Sequence, residues 1–331
     1  MEMRWKGLKW FVLSVFVFTI VCLPASTVKA EYEEEEEEYS RYWEKDDDSG
    51  DSIKEKDGFV YYIYKNKVIV IDIILELLED DKEVTIPESI DGYPVVEFSG
   101  YLPTEVENLY LPKTLKYWDI EGTYTPDDSD HLKNIIVDKD NPKFSSKNGI
   151  LYNKKKTALV QCPSTRKSVT IPKSVRTIKN SAFTGVHLRK IVIPDTVKTI
   201  EEFAFSGCTK LKSVKLSKNL KVLEQRAFEE CFNLKTIKIP DSVEKIGELV
   251  FFLCRNLQSV EIGENLKEID EEVFWGCKKL KKITVKTEKL NGFPFPTTRD
   301  IGKKKNVLII AKKDSYVYRT AKKKGFKVRA F

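Results

Sequence analysis

Residues 211–235 read LKSVKLSKNLKVLEQRAFEECFNLK, and the same phrase returns on both sides of them. Leu188, Leu211, Leu234, Leu257 and Leu280 follow one another at steps of 23. Phe183, Phe205, Phe228, Phe251 and Phe274 are spaced 22, 23, 23 and 23, and Cys208, Cys231, Cys254 and Cys277 keep the step of 23. A fixed period in the twenties is the signature of a repeat array. Within one unit, Leu211, Val214 and Leu216 form L-x-x-V-x-L, and Ile237 and Ile239 recur in the next. Apolar residues two apart predict a short strand with one buried face. Pro194 and Pro240 lack the N–H that would prolong such strands. Residues 201–205 leave room for one helical turn. A unit of this size cannot bury its apolar side alone, whereas stacked units bury a continuous core.

The phrase Ile171-Pro172-Lys173-Ser174-Val175, Ile178, Ala182-Phe183 recurs as Ile193-Pro194-Asp195-Thr196-Val197, Ile200, Ala204-Phe205-Ser206-Gly207-Cys208, Leu211. In this form it resembles the BspA-type bacterial leucine-rich repeat, over roughly residues 58–331 and most strongly in the centre. The resemblance implies a right-handed leucine-rich repeat solenoid on a secreted or surface protein, often an adhesin or binding module, with no catalytic residues. The expected fold is an α/β repeat with units of about 23 residues. A β-rich N-terminal cap and a small C-terminal strand-helix-strand cap complete it, since an array needs atypical ends to cover its open core.

The organisation expected along the chain starts with a signal peptide at 1–30. Arg4, Lys6 and Lys9 precede an uncharged run from 11 to 23, and Val28-Lys29-Ala30 offers a cleavage site. That run is short for a membrane span; an uncleaved anchor is the rival reading. Residues 31–57 hold 14 acidic and 4 basic residues, among them an unbroken Glu33 to Glu38. Such a block repels itself and is expected to be disordered, a solubilising spacer or an interaction tail that could mask basic surface. The cap is expected at 58–83 and the solenoid at 84–290. Two degenerate rungs begin at Val84 and Val106, the second lacking Ala-Phe, with Tyr117-Trp118 filling the space. A hairpin insertion at about 138–166, turning at Asn148-Gly149, is expected to project from the array. Residues 291–296 break the pattern, and 291–331 form the C-terminal cap.

Catalysis has no visible vehicle. The two histidines, His131 and His187, stand apart, and no G-x-G-x-x-G, P-loop, G-x-S-x-G or H-E-x-x-H occurs. No C-x-x-C is present, and a step of 23 does not suggest a zinc site. Neither cofactor nor metal is expected. The repeated cysteines read as small buried hydrophobes stacked in a ladder, although adjacent rungs lie close enough for disulfides.

What remains is surface. The whole chain carries +6, and residues 58–331 carry +13. Solvent-facing strand positions collect Arg189, Lys190, Lys212, Lys215, Lys235, Lys238, Lys281 and Lys282 into a basic stripe interrupted at the fourth rung. These residues are the candidate ligand face. Its expected partner is an extracellular protein or an anionic glycan or wall polymer. Nucleic acid fits less well, because no aromatics interleave with the lysines. The alternative is a rigid envelope spacer with no dedicated ligand. After cleavage at Ala30 no transmembrane segment is expected, and the protein would be secreted or loosely attached to the cell surface.

Overall fold

A computed structural model describes residues 53–78, 82–100, 102–120, 131–290, 292–296 and 306–331; the stretch expected to be a signal peptide and most of the acidic segment lie outside them. The described residues belong to one compact unit that begins at Asp51. Each rung of the array has three sides: a first strand, a second strand of two residues, and a run of tight turns.

The first strands are Lys190–Val192, Ser213–Lys215, Thr236–Ile239, Ser259–Ile262 and Lys282–Val285. Where they pair they do so in parallel with a shift of 23, so that Thr236 faces Ser259 and Ser259 faces Lys282. Their inward residues, Ile191, Ile237, Val260 and Ile283, are buried. Pro240 immediately follows the strand that ends at Ile239. The second strands, Thr177–Ile178, Thr199–Ile200, Val222–Leu223, Lys245–Ile246 and Glu268–Ile269, form a parallel ladder of their own.

The third side departs from the sequence expectation. Residues 201–205 do not form a helical turn. Phe203 and its equivalents Arg226, Leu249 and Glu272 have φ of 54, 54, 56 and 55°. That left-handed backbone cannot propagate a right-handed helix and costs roughly 1–2 kcal/mol per residue. The offset is structural: the following N–H groups bond across to the next rung, Phe205 to Ala227 O at 2.8 Å and Phe228 to Val250 O at 3.0 Å. The unit is therefore strand, strand and turns, so the leucine-rich repeat solenoid expected is present with little helix in place of an α/β alternation. The α-helix among the described residues, Tyr316–Lys323, lies beyond the array, capped by Ser315, whose hydroxyl accepts the Tyr318 N–H.

The core is built from two ladders. Phe183, Phe205, Phe228, Phe251 and Phe274 stack with centroids 4.7, 5.0, 6.1 and 6.2 Å apart. Beside them, Cys208, Cys231, Cys254 and Cys277 are fully buried and form no disulfide. Each thiol donates to a phenylalanine carbonyl of the preceding rung, from Cys208 Sγ to Phe183 O at 3.0 Å through Cys277 Sγ to Phe251 O at 3.2 Å. Burial pushes the thiols of Cys208, Cys231 and Cys254 far above their ordinary range, so they are poor nucleophiles. A thiol reagent should leave Cys162, Cys208, Cys231, Cys254 and Cys277 unmodified in the folded protein and modify all five in denaturant. Rapid modification of any of them in native buffer would contradict this packing.

Three further expectations are corrected. The hairpin does not project. Its strands Phe144–Lys147 and Ile150–Asn153, turning at Asn148-Gly149 with φ of 53 and 73°, lie in the sheet of the second strands, which Ala158–Gln161 continues into Thr177–Ile178. Ile150 and Tyr152 pack into the core of the array and Leu151 into a second cluster formed by residues 59–151. The hairpin thus joins the two cores. Tyr117 and Trp118 do not replace a turn segment. They belong to a strand, Tyr117–Ile120, parallel to Tyr93–Gly100, with Trp118 stacked on Phe98 at 5.5 Å. Finally, residues 292–296 do not break the core. Phe293 extends the phenylalanine ladder 6.3 Å beyond Phe274, then Phe295 and Phe326 continue it. Strands Leu308–Ala311 and Lys327–Ala330 likewise prolong the first-strand sheet.

Candidate functional site

The exposed side of the first-strand sheet is built by alternation. Buried Ile191, Ile237, Val260 and Ile283 fix the opposite residues to solvent. Strand register arranges these into columns that run along the axis. By paired register Lys190 meets Ser213 and Val192 meets Lys215, and in a separate sheet Thr236, Ser259 and Lys282 align, as do Lys238, Glu261 and Thr284; the repeat places the two sets at equivalent positions. A further column, at the residue leading into each strand, holds Arg189, Lys212, Lys235, Gln258 and Lys281. Backbone bonds tie Lys212 N–H to Arg189 O and Gln258 N–H to Lys235 O, both at 2.8 Å, while the strands Ser213–Lys215 and Thr236–Ile239 belong to separate sheets.

The eight residues expected from the sequence are all exposed, but they do not form one stripe. Arg189, Lys190, Lys212, Lys215 and Lys235 cluster on three successive rungs, with no ion pair to any described residue. Lys281 and Lys282 are separated from them by the rung of Gln258, Ser259 and Glu261. Lys238 is not free: Glu261 holds it at 3.4 Å and Lys286 at 2.8 Å, and both lysines keep the Glu261 carboxyl below its usual range.

The second-strand side handles charge differently. Lys179 pairs with Glu201 at 2.9 Å, and Glu244 sits between Lys221 at 2.7 Å and Lys267 at 2.6 Å. Hydrogen bonds from Lys221 and Lys267 bring the Glu244 carboxyl from 4.5 down to about 2. A depressed carboxyl pKa stabilises the fold above its unfolded value, and that contribution fades as pH falls from 4.5 toward 2. Glu244→Gln should therefore lower the melting temperature slightly at neutral pH and match the parent near pH 2. An equal difference at both pH values would contradict the ion-pair account.

The turn side carries a feature that the sequence reading missed. Arg226 lies between the rings of Phe203 and Phe252, 5.8 and 5.6 Å from their centroids, and Phe252 stacks on Trp275 at 4.6 Å. Arg255 lies 4.6 Å from the centre of the Phe232 ring. These residues vary from unit to unit, so periodicity gave no signal for them; only the turn geometry brings them together.

No group of His, Cys, Asp and Glu among the described residues could hold a metal ion, and no helix among them is long and apolar enough to cross a membrane. The carboxyl of Glu97 is raised to about 7 by burial, with Asp119 adding to the effect. It lies outside the two main clefts, one lined by Lys286, Ile310 and Phe331, the other by Lys56, Ser89 and Asp91.

Comparison with known proteins fits this geometry. No curated protein matches the sequence. Among solved structures, the pneumococcal vaccine antigen PcpA is 16% identical with a TM-score of 0.54, over 85% of this chain and 98% of that one. A leucine rich cell surface protein from Faecalibacterium prausnitzii is 24% identical with a TM-score of 0.49, over 64% of this chain and 60% of that one. At such identities the likeness to PcpA concerns the fold alone. The BspA type leucine rich repeat region matches residues 155–281 in six copies. It is thus the central segment, with its 23-residue register, phenylalanine ladder and stacked strands, that is similar to BspA-type leucine-rich repeats.

Proposed function

We propose that the protein is exported and serves a non-catalytic, adhesin-like binding role, with the exposed side of the first-strand sheet as its contact surface. The observation that supports this most is the cluster of Arg189, Lys190, Lys212, Lys215 and Lys235 on adjacent rungs, none in an ion pair with a described acid, although Asp195 lies within electrostatic reach of Lys215. Repeat arrays present such continuous faces to macromolecular partners. The partner class that fits is an extracellular protein or anionic glycan. Export rests on the basic start, apolar centre and Val28-Lys29-Ala30 ending of residues 1–30.

The test is capture of the full chain on immobilised extracellular proteins and anionic glycans at low and high salt. Screening shortens from about 10 Å at 0.1 M to about 3 Å at 1 M, so binding through this face should collapse with salt. Changing Lys212, Lys215, Lys235 and Lys238 to Glu should weaken it by at least tenfold, roughly the effect of losing one or two close charge contacts. Binding that ignores both salt and these changes would remove the strand face from consideration. Absence of binding throughout would favour the spacer reading.

A further inference from the structure

Taking the strand face as the contact surface, we infer that its ligand is a linear polyanion laid along the solenoid axis. Its anionic groups sit on the lysine columns and its backbone lies over the hydroxyls of Ser213, Thr236 and Ser259. Failure of the contact-surface reading and failure of this one are separable below.

The first argument is charge compensation. On the second-strand side, lysines alternate with acids between rungs, as in Lys221, Glu244 and Lys267. Beyond the array Lys312 pairs with Glu288 in the same manner. On the strand face, by contrast, Arg189, Lys212 and Lys235 occupy equivalent positions of three successive rungs, Lys212 bonded through its backbone to Arg189. Lys215 and Lys238 occupy equivalent positions of neighbouring rungs. Like charges on adjacent strands oppose folding; Glu261 relieves Lys238, and Asp195 lies within electrostatic reach of Lys215, while Arg189, Lys212 and Lys235 form no ion pair with a described residue. An external anion would relieve them.

The second argument is spacing. Paired parallel strands lie about 4.8 Å apart, so the column of Arg189, Lys212 and Lys235 offers one cation on each of three successive rungs, with Lys215 and Lys238 beside it. A polymer bearing an anionic group on each unit or every second unit can keep register with that repeat. An acidic patch on a folded protein has no fixed period and would meet the columns only in places. The third argument is relief. Ser213 and Thr236 are exposed and short, with long basic side chains on both flanks. That profile is a shallow trough with hydroxyl donors along its floor. No aromatic lines it, so recognition rests on charge and hydroxyl contacts and not on ring stacking.

Glu261 sets the length of the track. Its carboxylate occupies Lys238 and Lys286 and separates the main cluster from Lys281 and Lys282. The footprint is therefore about three rungs, on the order of 15 Å.

The experiment measures binding of the full chain to a size series of linear sulfated cello-oligosaccharides, with the unsulfated series and poly-L-glutamate as comparisons. Affinity should rise with length and level off once about three rungs are spanned. Lys212→Glu with Lys235→Glu should weaken binding by more than about tenfold and reduce the salt slope by about two. Lys155→Glu with Lys323→Glu, an equal charge change at exposed positions away from this face, should stay within about twofold. Glu261→Gln should strengthen binding about threefold and lengthen the footprint, because it frees Lys238 and joins the two clusters. A loss of folding cannot imitate that gain. Equal losses in the two double variants, no dependence on length, or no gain from Glu261→Gln would overturn the proposal. If poly-L-glutamate binds through Lys212 and Lys235 while the sulfated series does not bind, the polymer assignment fails and the contact surface stands. If neither ligand responds to the Lys212 and Lys235 changes, both fail.

Discussion

Phe228→Ala is expected to destabilise the array by about 3–5 kcal/mol. For a chain of this size that corresponds to a fall in melting temperature of roughly 10 °C. Phe228 has no exposed surface, and its ring lies 5.0 Å from Phe205 and 6.1 Å from Phe251. Removing it opens a gap in the middle of the ladder. The gap cannot close easily, because the backbone around it is locked from both sides. The Phe228 N–H donates to Val250 O at 3.0 Å, and its carbonyl accepts the Cys254 thiol at 3.2 Å. The cost rises with the volume that fails to collapse. Phe293→Ala, at the half-buried end of the same ladder, should cost clearly less. Thermal unfolding followed by circular dichroism decides the matter. Similar shifts for the two variants would mean that the ladder is not a graded core.

Asn141→Ala should cost roughly 2–4 kcal/mol, since several buried backbone groups lose their partner together. Asn141 is completely buried. Its amide donates to Pro112 O at 2.7 Å and Leu115 O at 2.9 Å, and its Oδ1 accepts the N–H groups of Lys143 at 2.8 Å and Phe144 at 2.7 Å. One side chain thus ties a loop of the N-terminal rungs to the start of the hairpin that joins the two cores. Asn141→Leu, of similar volume, is expected to be no better than Ala. Denaturant unfolding of the two variants measures this. Near-parent stability of the leucine variant would assign the role to packing instead of hydrogen bonding.

Both sites bear on how much the sequence disclosed. The phenylalanine and cysteine ladders were legible because each position recurs at a fixed step, and a step common to every unit places equivalent residues on one line. Phe293 was not legible, because its local sequence of Pro and Gly signals an end to regular strands, while its ring needs only to meet Phe274. The turn side was misread because Ala-Phe pairs between acidic residues satisfy helical preference. The left-handed Phe203, Arg226, Leu249 and Glu272 are explained by hydrogen bonds to the next rung, and no local propensity records those. Asn141 gave no warning either: Asn before Pro signals a turn, and its four partners come from both sides in sequence.

For the candidate face, alternation in the strands selected Lys190, Lys215, Lys238 and Lys282, and the repeat position just before each strand supplied Arg189, Lys212, Lys235 and Lys281. Neither showed that Glu261 ties down Lys238, because that depends on Lys286 arriving from the following rung. By itself, the sequence determined the period, the identity of the buried columns and the sign of the exposed face, all of which are properties of one unit repeated. The tertiary structure decided which charges are compensated, where the two cores are joined and how the ladder ends. Those outcomes are contacts between units or between unlike segments, whose energies arise only when the chain has stacked.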